Sequence, residues 1–242
     1  MPPDPDAPTL TRRGTWAAGV DPWAVGATWL LVLLALTSLE SQGPGLASLV
    51  GGGLLGAVLV GTGFVAAART RRLAPRSPAQ RTRLAAGALL LGVAVGAMNL
   101  GANVAMGASA PEIQALLRAH LADPPSWARL AAVAVVEEVA FRLVLMSVVA
   151  WGVSRLTRRP RTVFLAALAV SALLFAGAHL LGRPMPPAPA MAALYTSGVL
   201  LKSGLAGLVL GGVFWRWGLP YAMLCHLAAN GLHTLLEPVL FA

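Results

Sequence analysis

Residues 127–154 form one apolar run long enough to cross a bilayer as a helix, yet Glu137, Glu138 and Arg142 stand near its middle. An ionised side chain at that depth costs roughly 2.5–3.5 kcal/mol on insertion scales. Three such groups so close together have to be paired, hydrated or chemically employed. The rest of the chain points to the same solvent. Of its 242 residues 57% are hydrophobic and only 11% charged, and the mean hydropathy is +0.73. A soluble domain of this size needs far more charge to cover its surface. The expected fold is an all-α polytopic membrane protein, a bundle of about seven (7–8) transmembrane helices around an intramembrane polar site. Alternating short strands are absent, which argues against a membrane β-barrel.

Spans are expected at 23–39, 45–68, 84–107, 127–154, 162–182, 191–215 and 219–240. An additional interfacial helix is expected at 111–122, where Pro111 suits the first turn. Residues 1–20, rich in Pro and Asp, read as a disordered tail, and residues 21–242 as a single integral membrane domain. The apolar run from Trp23 to Leu39 follows Arg12 and Arg13, as a secretory signal would. It is longer than a signal core, so an uncleaved first helix is expected.

The net charge is +9, and its placement says more than its size. Arg69, Arg71, Arg72, Arg76, Arg81 and Arg83 form one cluster, and Arg155, Arg158, Arg159 and Arg161 another. Both fall between apolar spans, which is the positive-inside pattern of membrane topology rather than a nucleic-acid surface. The expected orientation is N-terminus in the cytoplasm and C-terminus outside, in a bacterial inner membrane. The partners are a lipid bilayer and no nucleic acid. The single cysteine, Cys225, excludes an intrachain disulfide. Glycines within the spans, such as Gly204, Gly207, Gly211 and Gly212, read as helix-packing positions. Asn99 and Asn103, one turn apart, read as interhelical hydrogen-bonding groups.

Glu138 and Arg142 are spaced i, i+4 with the acid first, the favourable orientation for a helical ion pair. Glu137 lies about 100° round the helix from Glu138 and has no basic partner on its own helix. A buried, unpaired carboxyl group is a natural general base or acid. The fifth span ends in Phe175-Ala-Gly-Ala-His179, with Phe175 one turn below the imidazole. The seventh carries His226 and Asn230 at i, i+4, with His233 further along the same stripe. Two donors one turn apart in a dry site fit an oxyanion hole.

Glu-Glu-x-x-x-Arg at 137–142, Phe-x-x-x-His at 175–179 and His-x-x-x-Asn at 226–230 resemble the three motifs of the CaaX protease and bacteriocin-processing (CPBP) family. That family includes the Ras-converting CaaX endopeptidases. The resemblance covers about residues 125–240. It implies an intramembrane endopeptidase of the glutamate type. Glu137 and His179 would activate a water, His226 and Asn230 would hold the oxyanion, and Glu138, Arg142 and Phe175 would support the site. No cofactor is implied, and the substrate would be a membrane-associated protein or peptide. The alternatives are a zinc metalloprotease, with Glu137, His179 and His226 as ligands, and a non-catalytic membrane immunity or partner protein. Composition suggests a GC-rich bacterium, where maturation of a peptide or of a C-terminal sorting signal, as in the myxosortases, is the expected task.

Simple depth counting leaves one conflict. His226 lies roughly 10 Å from one face of the bundle, whereas His179 lies about 21–25 Å from the same face. The site converges only if the helices tilt or the fifth span starts later than drawn.

Overall fold

The computed structural model describes residues 28, 56, 58–67, 77–121, 126–181 and 183–241, and every regular element among them is helical. The expected tail, and the expected first span apart from Thr28, lie outside the described residues. The helices are α1 (Val58–Ala67), α2 (Pro78–Ser109), α3 (Pro111–Leu121), α4 (Trp127–Glu138), a π-helical segment (Val139–Met146), α5 (Ser147–Leu156), α6 (Pro160–Ala178), α7 (Pro189–Trp217) and α8 (Leu219–Phe241). By length and composition α2, α6 and α7 can each cross a membrane. The helical run Trp127–Leu156 and helix α8 occupy the expected fourth and seventh spans.

Local sequence sets the boundaries. α2 starts at Pro78, earlier than the hydropathy at 84 suggests, because Ser77 and Gln80 form a reciprocal capping box. The Ser77 hydroxyl accepts from the Gln80 N–H at 3.3 Å, and the Gln80 side chain accepts from the Ser77 N–H at 3.0 Å. Such a box satisfies two donors that the first turn would leave orphaned. Proline also occupies the first turn of α6 and α7, where its missing N–H costs nothing. The α7–α8 connection is made by Gly218, whose φ of 97° lies where residues with a Cβ are strained.

α3 is docked on the bundle. Ile113 and Leu117 are buried with Met106, Tyr195, Val199 and Phe241, and Arg118 donates to the Phe241 carbonyl at 3.0 Å. The main core lies between α2, the π segment, α6, α7 and α8, around Leu143, Met146, Phe175, Leu210 and Phe214. Leu90, Leu173, Leu201 and Val239 point outward. Helices apolar on every side are those of a lipid-facing bundle.

Two glycines set the tightest helix approaches. A Cβ at Gly92 would strike the Cys225 carbonyl and the Ala228 side chain, so α2 and α8 touch backbone to backbone there. A Cβ at Gly207 would stand 3.1 Å from the Ala172 backbone, which seats α7 on α6. In a membrane, where lipid is as apolar as leucine, such close packing is a main source of association.

The same contacts bear on the depth conflict. α6 begins at Pro160, so a late start is not the answer. The register of α8 against α2 is set by two contacts: Trp217, just before α8, packs over Gly87, and Cys225 over Gly92. Measured along α2, His226 lies near position 92, about 12 Å beyond residue 84, where the apolar span begins, so it stays the shallower of the two imidazoles. Phe175 closes the gap between His226 and His179.

Candidate active site

The α4 helix widens into a π turn immediately after the two glutamates. The Val139 N–H is shared between the Val135 and Val136 carbonyls, where α-bonding gives way. A change of ladder leaves backbone carbonyls to be satisfied, and lipid supplies no donors. Two serines do so: Ser171 of α6 donates to the Phe141 carbonyl at 2.8 Å, and Ser147 donates to the Arg142 carbonyl at 3.4 Å. The Ser171 bond also ties α6 to the π segment. Single π turns occur often at functional sites.

Glu138 and Arg142 are both wholly buried, with Arg142 Nε 3.5 Å from Glu138 Oε2. The pair expected from the i, i+4 spacing is present. It is an ion pair without a hydrogen bond, because the Arg142 nitrogens have no hydrogen-bond partner among the described residues. Its charge is held instead by the carboxylate and by the face of Phe175, whose centroid lies 4.4 Å from the guanidinium carbon. A desolvated cation over an aromatic face gains about 2 kcal/mol.

Glu137 turns the other way, with its side chain 25% exposed. The two glutamates nevertheless meet one imidazole. His226 Nδ1 lies 2.9 Å from Glu138 Oε1, and His226 Nε2 lies 3.6 Å from Glu137 Oε2. This bridging was not foreseen from the sequence, because spacing on one helix says nothing of a ring that enters from another. With Glu138 accepting from Nδ1–H, the ring is oriented with Nε2 toward Glu137.

His179 caps α6 and lies 2.9 Å from the Phe175 carbonyl through Nδ1. A carbonyl only accepts, so Nδ1 carries the proton and Nε2 keeps its lone pair. The Phe175 ring packs 4.4 Å from the His179 ring and 6.0 Å from that of His226. It is thus the spacer between the two imidazoles and the platform for Arg142. Asn230, one turn beyond His226 on α8, lines the same cavity as His226 and His179.

A cavity of about 710 Å³ receives Glu137, His179, His226 and Asn230, together with Phe175. The residues expected at the catalytic centre therefore share one chamber, whereas Glu138 and Arg142 lie behind its wall. Cys225, expected off this face, is buried in the α2–α8 contact.

The chamber continues into a second polar cluster. Asn103 Nδ2 donates to Glu237 Oε1 at 2.8 Å and lies 3.0 Å from His233 Nε2. His233 Nδ1 lies 3.1 Å from Glu237 Oε2, and Lys202 Nζ donates to Asn103 Oδ1. The interhelical bonding expected of Asn103 is present. Asn99 differs: its buried Oδ1 has no hydrogen-bond partner among the described residues. Lys202 went unnoticed in the sequence, although it is the chain's only lysine and sits inside an apolar span. That position was the signal. Among the described residues no group of three or more His, Cys, Asp or Glu side chains is arranged to hold a metal ion.

No curated protein and no solved structure matches the chain. Residues 124–232 match the family described as "Type II CAAX prenyl endopeptidase Rce1-like". That segment, just under half of the chain, contains all three motifs, and over it the chain is similar to the CaaX-type membrane endopeptidases, a family of proteases.

Proposed function

We propose that the chamber cleaves a peptide bond of a membrane-associated protein or peptide with a water activated by Glu137 and His179. The water oxygen bonds to the scissile carbonyl carbon, and its proton passes to Glu137. The developing oxyanion is met by a ring N–H of His226 and by the Asn230 amide. As the C–N bond breaks, Glu137 returns the proton to the departing nitrogen. Glu138 orients His226 through Nδ1, Arg142 balances Glu138, and Phe175 spaces the two imidazoles.

One observation carries this reading: the His226 ring is held between Glu137 and Glu138 at the wall of a cavity that also receives His179 and Asn230. The substrate class is a protein or peptide tail delivered through the bilayer, with maturation or C-terminal sorting-signal processing, as in the myxosortases, as the task. The protein would sit in a bacterial inner membrane. The chemistry needs no metal, since each step is assigned to a side chain and a water.

The test is Glu137→Gln in purified protein. Cleavage of a CaaX-type or tail-bearing membrane peptide should fall to background while insertion and accumulation stay at wild-type levels. Wild-type cleavage should survive phenanthroline. Wild-type rates from a well-folded Glu137→Gln protein would remove the proposal. Loss of activity on chelation with recovery on zinc would replace it with the metalloprotease reading.

A further inference from the structure

We infer that Lys202 forms a carboxylate-binding subsite for the peptide that the chamber cleaves; this rests on the endopeptidase reading above. The inference starts from the hydrogen-bond balance of the second polar cluster. Asn103 uses both amide protons, one on Glu237 and one toward His233, and its oxygen takes a proton from Lys202. Glu237 uses both oxygens, one on Asn103 and one on His233. Lys202 is different. An ammonium has three N–H donors, and Lys202 commits one, with no ion pair and no other hydrogen bond among the described residues. It is only 9% exposed and lines the chamber.

A charged ammonium with spare donors, deep in an apolar span, is costly unless it has work to do. Charge around the chamber points to an anion. Arg129, Arg183 and Lys202 line it against Glu137 and Glu237, and Glu237 is already engaged on both oxygens.

The position suits a group on the same peptide. On α8 the cluster lies around His233 and Glu237, while the proposed oxyanion donors are His226 and Asn230. The centres of these two pairs are separated by roughly 10 Å along the helix, a distance that about three extended residues span. A peptide with its scissile carbonyl at His226 thus brings a nearby carboxylate to Lys202. That carboxylate is either the chain's own C-terminus or an acidic side chain.

The test uses N-acetylated aliphatic tripeptides in three forms: free acid, C-terminal amide, and C-terminal amide with an aspartate at the last position. Binding is measured in zwitterionic detergent to wild type, Lys202→Met, Lys202→Arg and Arg183→Gln. One charge-assisted contact in a dry site predicts about ten- to a hundredfold tighter binding of a carboxylate than of the plain amide. Lys202→Met should bring the forms close to equality, and Lys202→Arg should retain a preference. If the free acid alone gains, the source is the C-terminus; if the aspartyl amide also gains, it is any nearby carboxylate. Where Lys202→Met fails to fold, Arg183→Gln decides: a preference that it retains keeps the subsite at Lys202, and one that it abolishes overturns the inference. Equal binding of all three forms to wild type, or no binding at all, overturns the inference. So does a preference that survives in folded Lys202→Met. A wild type that selects the acid but cleaves no membrane peptide keeps the subsite and defeats the protease reading instead.

Discussion

Glu138 does two jobs with one carboxylate, since one oxygen faces Arg142 and the other His226. Its loss therefore strands a buried cation and frees the imidazole at once. Removing one partner of a buried ion pair costs about 3–5 kcal/mol in soluble proteins. Glu138→Ala and Arg142→Ala should each lower the melting temperature in detergent, and the double substitution should cost less than the sum. Strict additivity in that thermal cycle would argue that the two charges are not coupled. The seventh span provides a second comparison, because His226 and His233 share a stripe but not a setting. His226 meets the two glutamates at the chamber wall, whereas His233 is locked between Asn103 and Glu237. His226→Ala and Asn230→Ala should each reduce kcat by about 10²–10³ with little change in KM, as expected for a lost oxyanion donor. His233→Ala should chiefly lower stability. A silent Asn230→Ala beside an inactivating His233→Ala would shift the site one turn or more along α8.

At the scale of elements, the apolar spans and the three motifs were legible because each is a local pattern. Span boundaries followed hydropathy to within a few residues, except where chemistry intervened, as at the Ser77–Gln80 cap. The i, i+4 spacing correctly paired Glu138 with Arg142. What a linear pattern does not contain is how helices dock. The π segment depends on Ser171 arriving from α6, the His226 bridge on α8 reaching α4, and the Lys202 cluster on three helices meeting. The seating of α8 beside α2 is likewise absent from either helix alone. That docking hinges on Gly92. Gly92→Ala drives a methyl group into the Cys225 backbone and should cut the yield and melting temperature of the folded protein, by about 1–3 kcal/mol for an overpacked contact. Gly101→Ala on the same helix has open space around its Cβ and should be tolerated. Equal effects of the two in a detergent melt would mean that the α2–α8 contact is not the tight one.

For the molecule as a whole, the chamber is reached from one end of the bundle. Arg129 at the start of α4, Leu116 and Leu117 of α3, and Arg183 and Pro184 after α6 all line it. The connections at the opposite end, 157–159 and Gly218, contribute nothing to its lining. That opposite end also holds the arginine cluster Arg155, Arg158, Arg159 and Arg161. If arginines stay cytoplasmic, as they do in short loops, the chamber faces away from the cytoplasm, where an exported tail would arrive. Single-cysteine labelling checks this orientation. In a Cys225→Ala background, Ala188→Cys should react with a membrane-impermeant maleimide added to intact cells, and Arg158→Cys should react only after the membrane is opened. The reverse pattern would turn the bundle over and give the protease a cytoplasmic clientele. The chemistry assigned to Glu137 and His226 would stand, but the substrate would have to be a tail that never leaves the cell.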